Sequence, residues 1–459
     1  MSHPPGVQIN TECPQFMEDH HDKELEAFQD TDDPGIDISE KILEETDAIS
    51  SHPSNYLHGS EDDFPDGGLR AWLVVLGGFC NILSSVGFVN SWGSFQSYYE
   101  LNTLGHKSTS EIAWIGSTQY ALTFLPGVIS GRLFDLGWYR LPLFVSSCFL
   151  VLTTFLTAQC TTYWHFILCQ GLALGLCSGM VTGPTPTVIS TWFKHRRSTA
   201  FGIIAGGSSV GGTIFPIIFR NLVGKIGFPW TMRVIGFILI LTLGITNLTL
   251  ERRLKPVNIS GGMFNPKVFR SRSFTLYAIS TFVSFLGLYT VLTYVDVSAS
   301  ATGIPETFSL YLVSIANAGS FFGRLAAGLL ADYTGALNII IPFTTIAGIL
   351  TYIWPHVRGK GNYVAIAVTY GFSSGAYLSL LPAPMIAMGD TGDMGRRVGV
   401  CWSMLAIGAL IGPPISGAIN GATHGFNFVG VYAGTMVLVS VMLMVMVRSL
   451  LLGRLWGKV

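Results

Sequence analysis

Charged residues are scarce in this chain. Only 12% of its 459 residues are Asp, Glu, Lys or Arg, whereas a typical soluble domain carries about 25%. So few charges cannot cover the surface of a water-soluble body of this size, and 49% of the residues are hydrophobic. The composition therefore argues against an ordinary soluble protein and indicates that most of the surface faces lipid.

The sequence signatures of catalysis and of metal binding are also missing. No Gly-x-x-x-x-Gly-Lys-Ser/Thr loop occurs, which argues against direct ATP hydrolysis. The seven cysteines form no Cys-x-x-Cys pair and no zinc-type spacing with histidine, so we predict that they are small apolar residues of the core. The sequence predicts a protein that is not an enzyme and that needs no cofactor and no metal.

Acidic residues are rare after the first 66 positions. Residues 1–66 hold 18 of the 27 acidic residues, with Lys23 and Lys41 as their only basic residues. We predict that 1–66 is a disordered acidic cytoplasmic tail, because it has too little apolar surface to fold. Lys23 and Lys41 are candidate sites for the ubiquitin machinery. The basic residues of the body lie in short loops between apolar runs, so no binding to nucleic acid is expected.

Apolar runs of about 20 residues dominate the chain from Ala71 onward. Each is long enough to cross the ~30 Å hydrocarbon core of a bilayer as a helix. We predict an all-α membrane protein with twelve transmembrane helices, at roughly 71–95, 111–131, 141–160, 164–190, 199–219, 230–250, 274–297, 307–330, 336–355, 363–388, 398–420 and 428–448.

The longest polar stretch between apolar runs follows the sixth run and divides the body into equal halves. We predict an N-terminal six-helix bundle at 67–250, a cytoplasmic linker at 251–273, a C-terminal six-helix bundle at 274–450 and a short cytoplasmic tail at 451–459.

The two halves carry a similar motif at equivalent places. Gly131-Arg-Leu-Phe-Asp135 ends the second run, and Gly328-Leu-Leu-Ala-Asp332 ends the eighth. This repeat supports a parallel duplication of the kind that transporters use.

Lysine and arginine residues are unevenly distributed between the two sets of loops. If the N-terminus is cytoplasmic, the inner side holds 17 of them and the outer side holds 6. Since cytoplasmic loops carry an excess of Lys and Arg, we predict that both termini are cytoplasmic. The plasma membrane is favoured over the vacuolar membrane.

The motif after the second run resembles a signature of the major facilitator superfamily. The stretch from Gly131 to Asp135, continuing to Arg140, is similar to that superfamily's loop between helices two and three. The resemblance implies the major facilitator fold and a charge network that latches the cytoplasmic ends of the bundles. The gate residues that it implies are Gly131, Arg132, Asp135, Arg140 and Asp332.

Two further motifs resemble the monocarboxylate transporter family. They are Asp66-Gly-Gly-Leu-Arg-Ala-Trp72, before the first run, and Trp192-Phe-Lys-His-Arg-Arg-Ser-Thr-Ala-Phe-Gly202, which enters the fifth. The segment 87–99 is similar to that of fungal members. The resemblance implies that a small organic acid is the substrate.

Arg324 is a charged residue inside an apolar run, where its desolvation costs about 3 kcal/mol or more. In the family an arginine at this position faces the central cavity and meets the substrate carboxylate. The alternative is a snorkelling side chain that pairs with Asp332 or with helix-end carbonyl groups. The lactate-transporting members carry an aspartate where this chain has Ser320 and a lysine where it has Asn90. These differences suggest either a larger or less acidic substrate or another proton site. Asp296 is our candidate for proton coupling, with a plain interfacial role as its alternative.

Several uncharged polar side chains lie near the middle of apolar runs. Such residues either face a cavity or bond to another helix. Together with Arg324 and Ser320, the predicted substrate-binding residues are Asn90, Gln119, Tyr120, Tyr289, Asn317 and Tyr377.

The sequence predicts a secondary active transporter of a small organic acid that works by alternating access, with proton coupling left open. Its expected partners are a small-molecule substrate and the lipid bilayer. One alternative is an exporter of a fungal secondary metabolite. A rival from another class is a non-transporting membrane sensor that signals through the acidic tail.

The charge bias makes a prediction about the two chain ends. Epitopes placed before residue 10 and after residue 455 should both become accessible to antibodies only after the membrane is permeabilised, because Lys and Arg favour the cytoplasmic side. Labelling of either epitope on intact cells would contradict this orientation.

Overall fold

The computed structural model describes residues 64–256, 262, 266–389, 391–453 and 457. The predicted acidic tail, including Lys23 and Lys41, lies outside the described residues apart from positions 64–66. Within the described ranges the regular structure is helical and includes no strand. The expected all-α fold is therefore confirmed.

Twelve helical crossings follow one another along the described chain. Ten segments are long and apolar enough to span a membrane. Two further crossings are recognised where a break in the helical backbone divides a segment. In chain order they are α1 Leu69–Thr103, α2 Thr109–Leu122 with Gly127–Asp135, α3 Arg140–Thr157, α4 Tyr163–Ser190, α5 and α6 within Arg197–Thr249, α7 Arg272–Ala301, α8 Thr307–Thr334, α9 Ala336–His356, α10 Lys360–Ala387, α11 Met394–Thr423 and α12 Asn427–Leu452.

Two backbone breaks account for the difference between ten segments and twelve crossings. Gly227 has φ 76° and ψ 165°, a conformation that interrupts the run Arg197–Thr249 and separates α5 from α6. Pro126 stands between the two pieces of α2 and has no N–H to continue the helical bonding. The twelve predicted spans are thus present, with α2 bent near its middle.

The start of α2 illustrates how the sequence defines a helix end. Ser108 accepts a hydrogen bond from the backbone N–H of Glu111, and the Glu111 carboxylate accepts one from the backbone N–H of Ser108. This reciprocal pair is a capping box, which satisfies two backbone donors that a helix start would leave without partners.

The two halves, α1–α6 and α7–α12, are in close contact at one end of the helix bundle. We call this end, where Asp135 and Asp332 lie, the motif face. A Cβ atom built on Gly202 of α5 would lie 2.5 Å from the carbonyl oxygen of Arg324 in α8. On the other side of the bundle, Gly131 of α2 packs directly on the backbone of Gly395 in α11. These small residues let the helix backbones of the two halves touch.

The described cysteines are free thiols. Cys80, Cys160 and Cys401 are buried, in agreement with the predicted core role, whereas Cys148 is exposed on α3.

The close packing of α5 on α8 predicts the effect of filling it. Gly202→Val should destabilise the protein by about 1–3 kcal/mol, because its side chain would collide with the backbone of α8. The control is Gly244→Val in α6, where an added Cβ meets no atom within 4 Å. Thermal unfolding of the detergent-purified variants measures both effects, and equal unfolding temperatures would refute the packing argument.

Candidate functional site

Asp135 at the end of α2 caps the start of α11 in the other half. Its carboxylate accepts hydrogen bonds from the backbone N–H groups of Gly395 at 2.8 Å and Arg396 at 2.9 Å. The Arg396 Nε atom also lies 3.7 Å from Asp135 Oδ2, and both side chains are buried. No side chain next to α11 in the sequence caps this helix start. The carboxylate therefore replaces a local cap and faces the positive end of the helix dipole.

Asp332 at the end of α8 makes the equivalent contact in the opposite direction. Its carboxylate accepts hydrogen bonds from the backbone N–H groups of Ser198 at 2.8 Å and Thr199 at 3.0 Å, at the start of α5. The start of α5 likewise has no side-chain cap of its own. The repeated motif found in the sequence thus places one aspartate of each half on a helix of the other half.

The remaining predicted gate residues do not share one role. Gly131 provides the close contact with Gly395. Arg132 lies half-buried in the last turn of α2. Arg140 is exposed at the start of α3, so the structure places it outside the buried capping contact. The buried cation beside Asp135 is Arg396. From the sequence it was counted only among the basic residues of the inner loops.

Arg252 and Tyr139 join the end of α2 to the segment after α6, next to Asp135 in the sequence. The Arg252 guanidinium lies 4.4 Å from the ring centroid of Phe134 and donates to the Phe134 carbonyl oxygen. The backbone N–H of Arg252 donates to the Tyr139 hydroxyl at 2.6 Å. Burial raises the pKa of Tyr139, and burial lowers the pKa of Arg252. Neither residue was singled out from the sequence, because the contact joins the α2–α3 turn to the segment after α6.

Asp66 holds the segment before α1 against the start of α5. Its Oδ1 atom accepts hydrogen bonds from the backbone N–H groups of Lys194, His195 and Arg196 at 2.7, 2.8 and 3.2 Å. Asp66 itself has φ 45°, a left-handed conformation that is uncommon outside glycine. The two motifs that resemble the monocarboxylate transporter family are therefore in direct contact.

A small cavity of about 70 Å³ lies between the two halves. Its walls are mainly apolar and aromatic, and Arg324 is the one lining residue among those described that carries a full charge at neutral pH. Ligand pockets usually enclose about 300–1,000 Å³. The cavity is therefore too small for such a ligand in this conformation, and a larger molecule fits only when the halves move apart.

Arg324 lies in α8 and reaches across to α5. Its Nη1 atom donates to the carbonyl oxygen of Ala205 and to the hydroxyl of Ser208. Its Nε atom donates to the Ser320 hydroxyl at 3.1 Å, one turn earlier in α8. Arg324 does not pair with Asp332, which was one alternative, since the Asp332 carboxylate binds the start of α5. Arg324 is a buried cation of the cavity wall, only 5% exposed.

Tyr120 and Tyr289 meet at the cavity from opposite halves. The ring centroids are 4.9 Å apart in a T-shaped arrangement. Tyr289 lines the cavity directly, and both rings lie close enough to Arg324 to interact with its charge. The structure thus brings three predicted substrate-binding residues together.

Asn90 and Asn317 meet at Gly212, closer to the opposite face than Arg324. The Asn317 amide donates to the Gly212 carbonyl oxygen at 3.3 Å. A Cβ atom on Gly212 would lie 3.1 Å from the Asn90 Cβ and 3.1 Å from the Asn317 amide nitrogen. These residues form a polar contact between the halves and do not line the small cavity itself.

Two predicted binding residues lie behind the cavity wall. Gln119 is buried where the backbone of α2 packs on Gly175 of α4, within one half. Tyr377 is fully buried with its ring 6.3 Å from that of Phe285. Periodicity could not distinguish these positions from true cavity positions, because both surfaces are buried in a helix bundle.

Asp296 lies in α7 towards the opposite face and is half-buried. Its Oδ1 atom accepts the backbone N–H of Val297 at 2.8 Å, and its charge acts on Arg220 in α5 of the other half. Arg220 also lies 5.8 Å from the ring centroid of Tyr311 in α8. Asp296 is outside the Arg324 cavity, near a second contact between the halves.

Sequence reasoning missed the aromatic wall of the cavity. Phe124, Phe285 and Trp402 line it together with Tyr289. Aromatic residues are common in every apolar run, so no sequence pattern separates these rings from lipid-facing ones.

Helices in two halves, closed on each other at one face around a buried polar centre, define a multi-pass membrane transporter. Residues 74–400 match the model of the Major Facilitator Superfamily. The chain belongs to that superfamily.

Fungal transporters are similar to most of this chain. It is 35% identical over 379 residues to the MFS-type transporter dbaD of Emericella nidulans, which covers 82% of this chain and 85% of that protein. It is 35% identical over 399 residues to the Fujikurins efflux protein of Gibberella fujikuroi, with 86% and 85% covered. It is 31% identical over 379 residues to the Aspyridones efflux protein apdF of Emericella nidulans, with 82% and 77% covered.

Solved structures of low sequence identity share the fold. The human organic anion transporter MFSD10 superposes with a TM-score of 0.65 at 16% identity, covering 82% of this chain and 98% of that one. The Escherichia coli fucose:proton symporter FucP gives a TM-score of 0.63 at 13% identity, with 82% and 99% covered. The predicted major facilitator fold is confirmed.

The Asp135 contact predicts a large cost for its removal. Asp135→Ala should destabilise the protein by about 3 kcal/mol or more, because it removes a buried carboxylate that pairs with Arg396 and caps the backbone N–H groups of Gly395 and Arg396. The control is Glu251→Ala, whose partner Arg70 is solvent-exposed, and here the cost should be less than about 1 kcal/mol. Unfolding of the detergent-purified variants tests the difference. Similar small effects of both substitutions would contradict a structural role for the Asp135 cap.

Proposed function

We propose that this chain exports an organic-acid secondary metabolite by alternating access. The observation that carries the proposal is Arg324, a buried cation in an otherwise apolar cavity between the two halves. The names of two relatives, a fujikurins and an aspyridones efflux protein, support export of a secondary metabolite over uptake of a small monocarboxylate. The finer assignment to the monocarboxylate transporter family remains a proposal based on sequence motifs.

Arg324 is suited to recognise an anion. A guanidinium offers several donors in a rigid fork that matches the two oxygens of a carboxylate. Ser208 and Ser320 fix the orientation of the side chain from two helices. An arriving anion would compensate a charge that is buried without a carboxylate in the cavity wall.

The aspartate caps suit a transporter whose central site opens to one face of the membrane at a time. Opening the motif face requires the release of Asp135 from α11 and of Asp332 from α5. Each aspartate accepts two backbone hydrogen bonds across the halves. These bonds are lost together when the halves rotate apart, so the motif face opens in one step. We assign the motif face to the cytoplasmic side, in line with the charge bias of the loops.

The other predicted residues fit different parts of such a cycle. Tyr120 and Tyr289 form a ring contact over the cavity, and Asn90 with Asn317 joins the halves nearer the opposite face. Asp296 is the proposed proton site, because it is an acid whose charge interacts with that of Arg220 in the other half. In this proposal a proton on Asp296 weakens that cross-half attraction and couples flux to the proton gradient.

Flux measurements with reconstituted protein test the function. Proteoliposomes loaded with a panel of carboxylates, from acetate to naphthoate, should release at least one of them faster than protein-free liposomes loaded with the same compounds. Arg324→Gln should reduce that release by roughly tenfold or more, because the charge that binds the anion is lost. The release rate of Arg324→Lys should lie between those of the unmodified protein and of Arg324→Gln, since lysine keeps the positive charge but lacks the forked set of donors.

Lys360→Gln provides a charge-matched control. Lys360 is exposed at the start of α10, far along the helix from the cavity residues. Its removal should leave release unchanged. Release that is indifferent to Arg324 would move the site elsewhere, and no release of any carboxylate would overturn the proposed substrate class.

A further inference from the structure

Aromatic rings from both halves surround the cavity next to Arg324. The Phe124 ring of α2 lies 5.1 Å from that of Trp402 in α11 and 6.3 Å from that of Phe285 in α7. The Phe285 ring in turn lies 5.4 Å from the Tyr289 ring. The rings therefore form a continuous group that is shared between the two halves, and it separates when the halves separate.

The rest of the wall is apolar apart from two hydroxyls. Besides the aromatic rings, proline residues and Arg324, the lining consists of Ser208, Ser379 and aliphatic side chains. A small, strongly hydrated anion such as acetate would offer nothing to the rings. A flat conjugated frame would cover them and gain the free energy of apolar burial and of ring stacking.

Trp402 lines the same cavity and carries a buried N–H donor. Its indole Nε1 atom is buried and has no hydrogen-bond partner among the described residues. The side chain lines the cavity and is only 8% exposed. Buried polar groups are nearly always paired, because an unsatisfied donor is costly. An indole N–H donates and cannot accept, so its missing partner is an acceptor.

We propose that the site selects aromatic or conjugated organic anions that carry a second hydrogen-bond acceptor, such as a ketone oxygen. This inference rests on the proposed function and specifies its substrate class. Arg324 binds the anionic group, the rings of Phe124 and Phe285 pack against the frame, and the Trp402 N–H donates to the second acceptor. Trp402 is the residue that determines specificity among aromatic acids.

Binding of four small probes to the purified full-length chain tests each part of this proposal. The first probe, 4-acetylbenzoate, has all three features. The second, 4-isopropylbenzoate, has a similar size and charge but lacks the ketone oxygen. The third, 4-acetylbenzamide, lacks the charge, and the fourth, acetate, lacks both the ring and the ketone oxygen. Affinities can be obtained from the ligand-dependent rise of the unfolding temperature.

The expected order of affinity follows from the three contacts. The probe 4-acetylbenzoate should bind at least about tenfold more tightly than each of the others, since each lacks at least one contact. Trp402→Phe keeps a ring and removes the N–H, so it should abolish the preference for 4-acetylbenzoate over 4-isopropylbenzoate. Trp114→Phe, at an exposed tryptophan of α2, should leave the preference intact.

Each part of the proposal can fail separately. Equal binding of acetate and 4-acetylbenzoate would overturn the aromatic class while leaving carboxylate transport in place. A preference for the ketone that survives in Trp402→Phe would overturn the role of Trp402. Binding of 4-acetylbenzamide as tight as that of 4-acetylbenzoate would remove the anion, and with it the proposed function of Arg324. Failure of all four probes to bind would overturn the aromatic, acceptor-bearing class proposed here, whereas the flux panel decides carboxylate export separately.

Discussion

The structure depends on two carboxylates that each cap a helix of the opposite half. Helices α5 and α11 start without side-chain caps of their own, and their first N–H groups are bound by Asp332 and Asp135 respectively. A helix start that is buried without partners is unfavourable. The chain therefore gains a pair of contacts that exist only while the halves are together at the motif face. This makes the closed face a distinct state that is held by few, strong interactions.

The buried centre follows from that closure. With the halves together, Arg324 can donate to Ala205 and Ser208 on the opposite half, and rings from α2, α7 and α11 cover the cavity. The same side chain thus stabilises the contact between the halves and provides the charge that attracts an anion. A substrate that replaces these internal bonds changes which contacts hold the halves together, which is what coupling between binding and movement requires.

The sequence was informative about whatever depends on solvent and on local chain geometry. Run lengths near 20 residues predicted the twelve crossings, and the repeated Gly-x-x-x-Asp motif predicted that Asp135 and Asp332 act alike. A buried arginine was evident from its apolar surroundings. The contacts that join distant segments were not predictable. Arg396 beside Asp135, Arg252 over Phe134 and Asp66 against residues 194–196 all depend on how the helices assemble. Gln119 and Trp402 illustrate the limit of prediction from sequence. Gln119, a polar residue in an apolar run, lies behind the cavity wall, whereas Trp402, an aromatic residue in a similar run, lines the cavity.

The most direct test of the account is whether loss of an aspartate cap moves the two faces in opposite directions. Spin labels at Leu136 and Tyr333 would report the motif face, and labels at Leu101 and His356 the opposite face, since all four positions are exposed. Pulsed electron–electron distance measurements would use protein whose native cysteines have been replaced. The account predicts that Asp135→Ala lengthens the first distance and shortens the second. An unchanged first distance, or two distances that lengthen together, would contradict the claim that these caps hold one state of an alternating-access cycle.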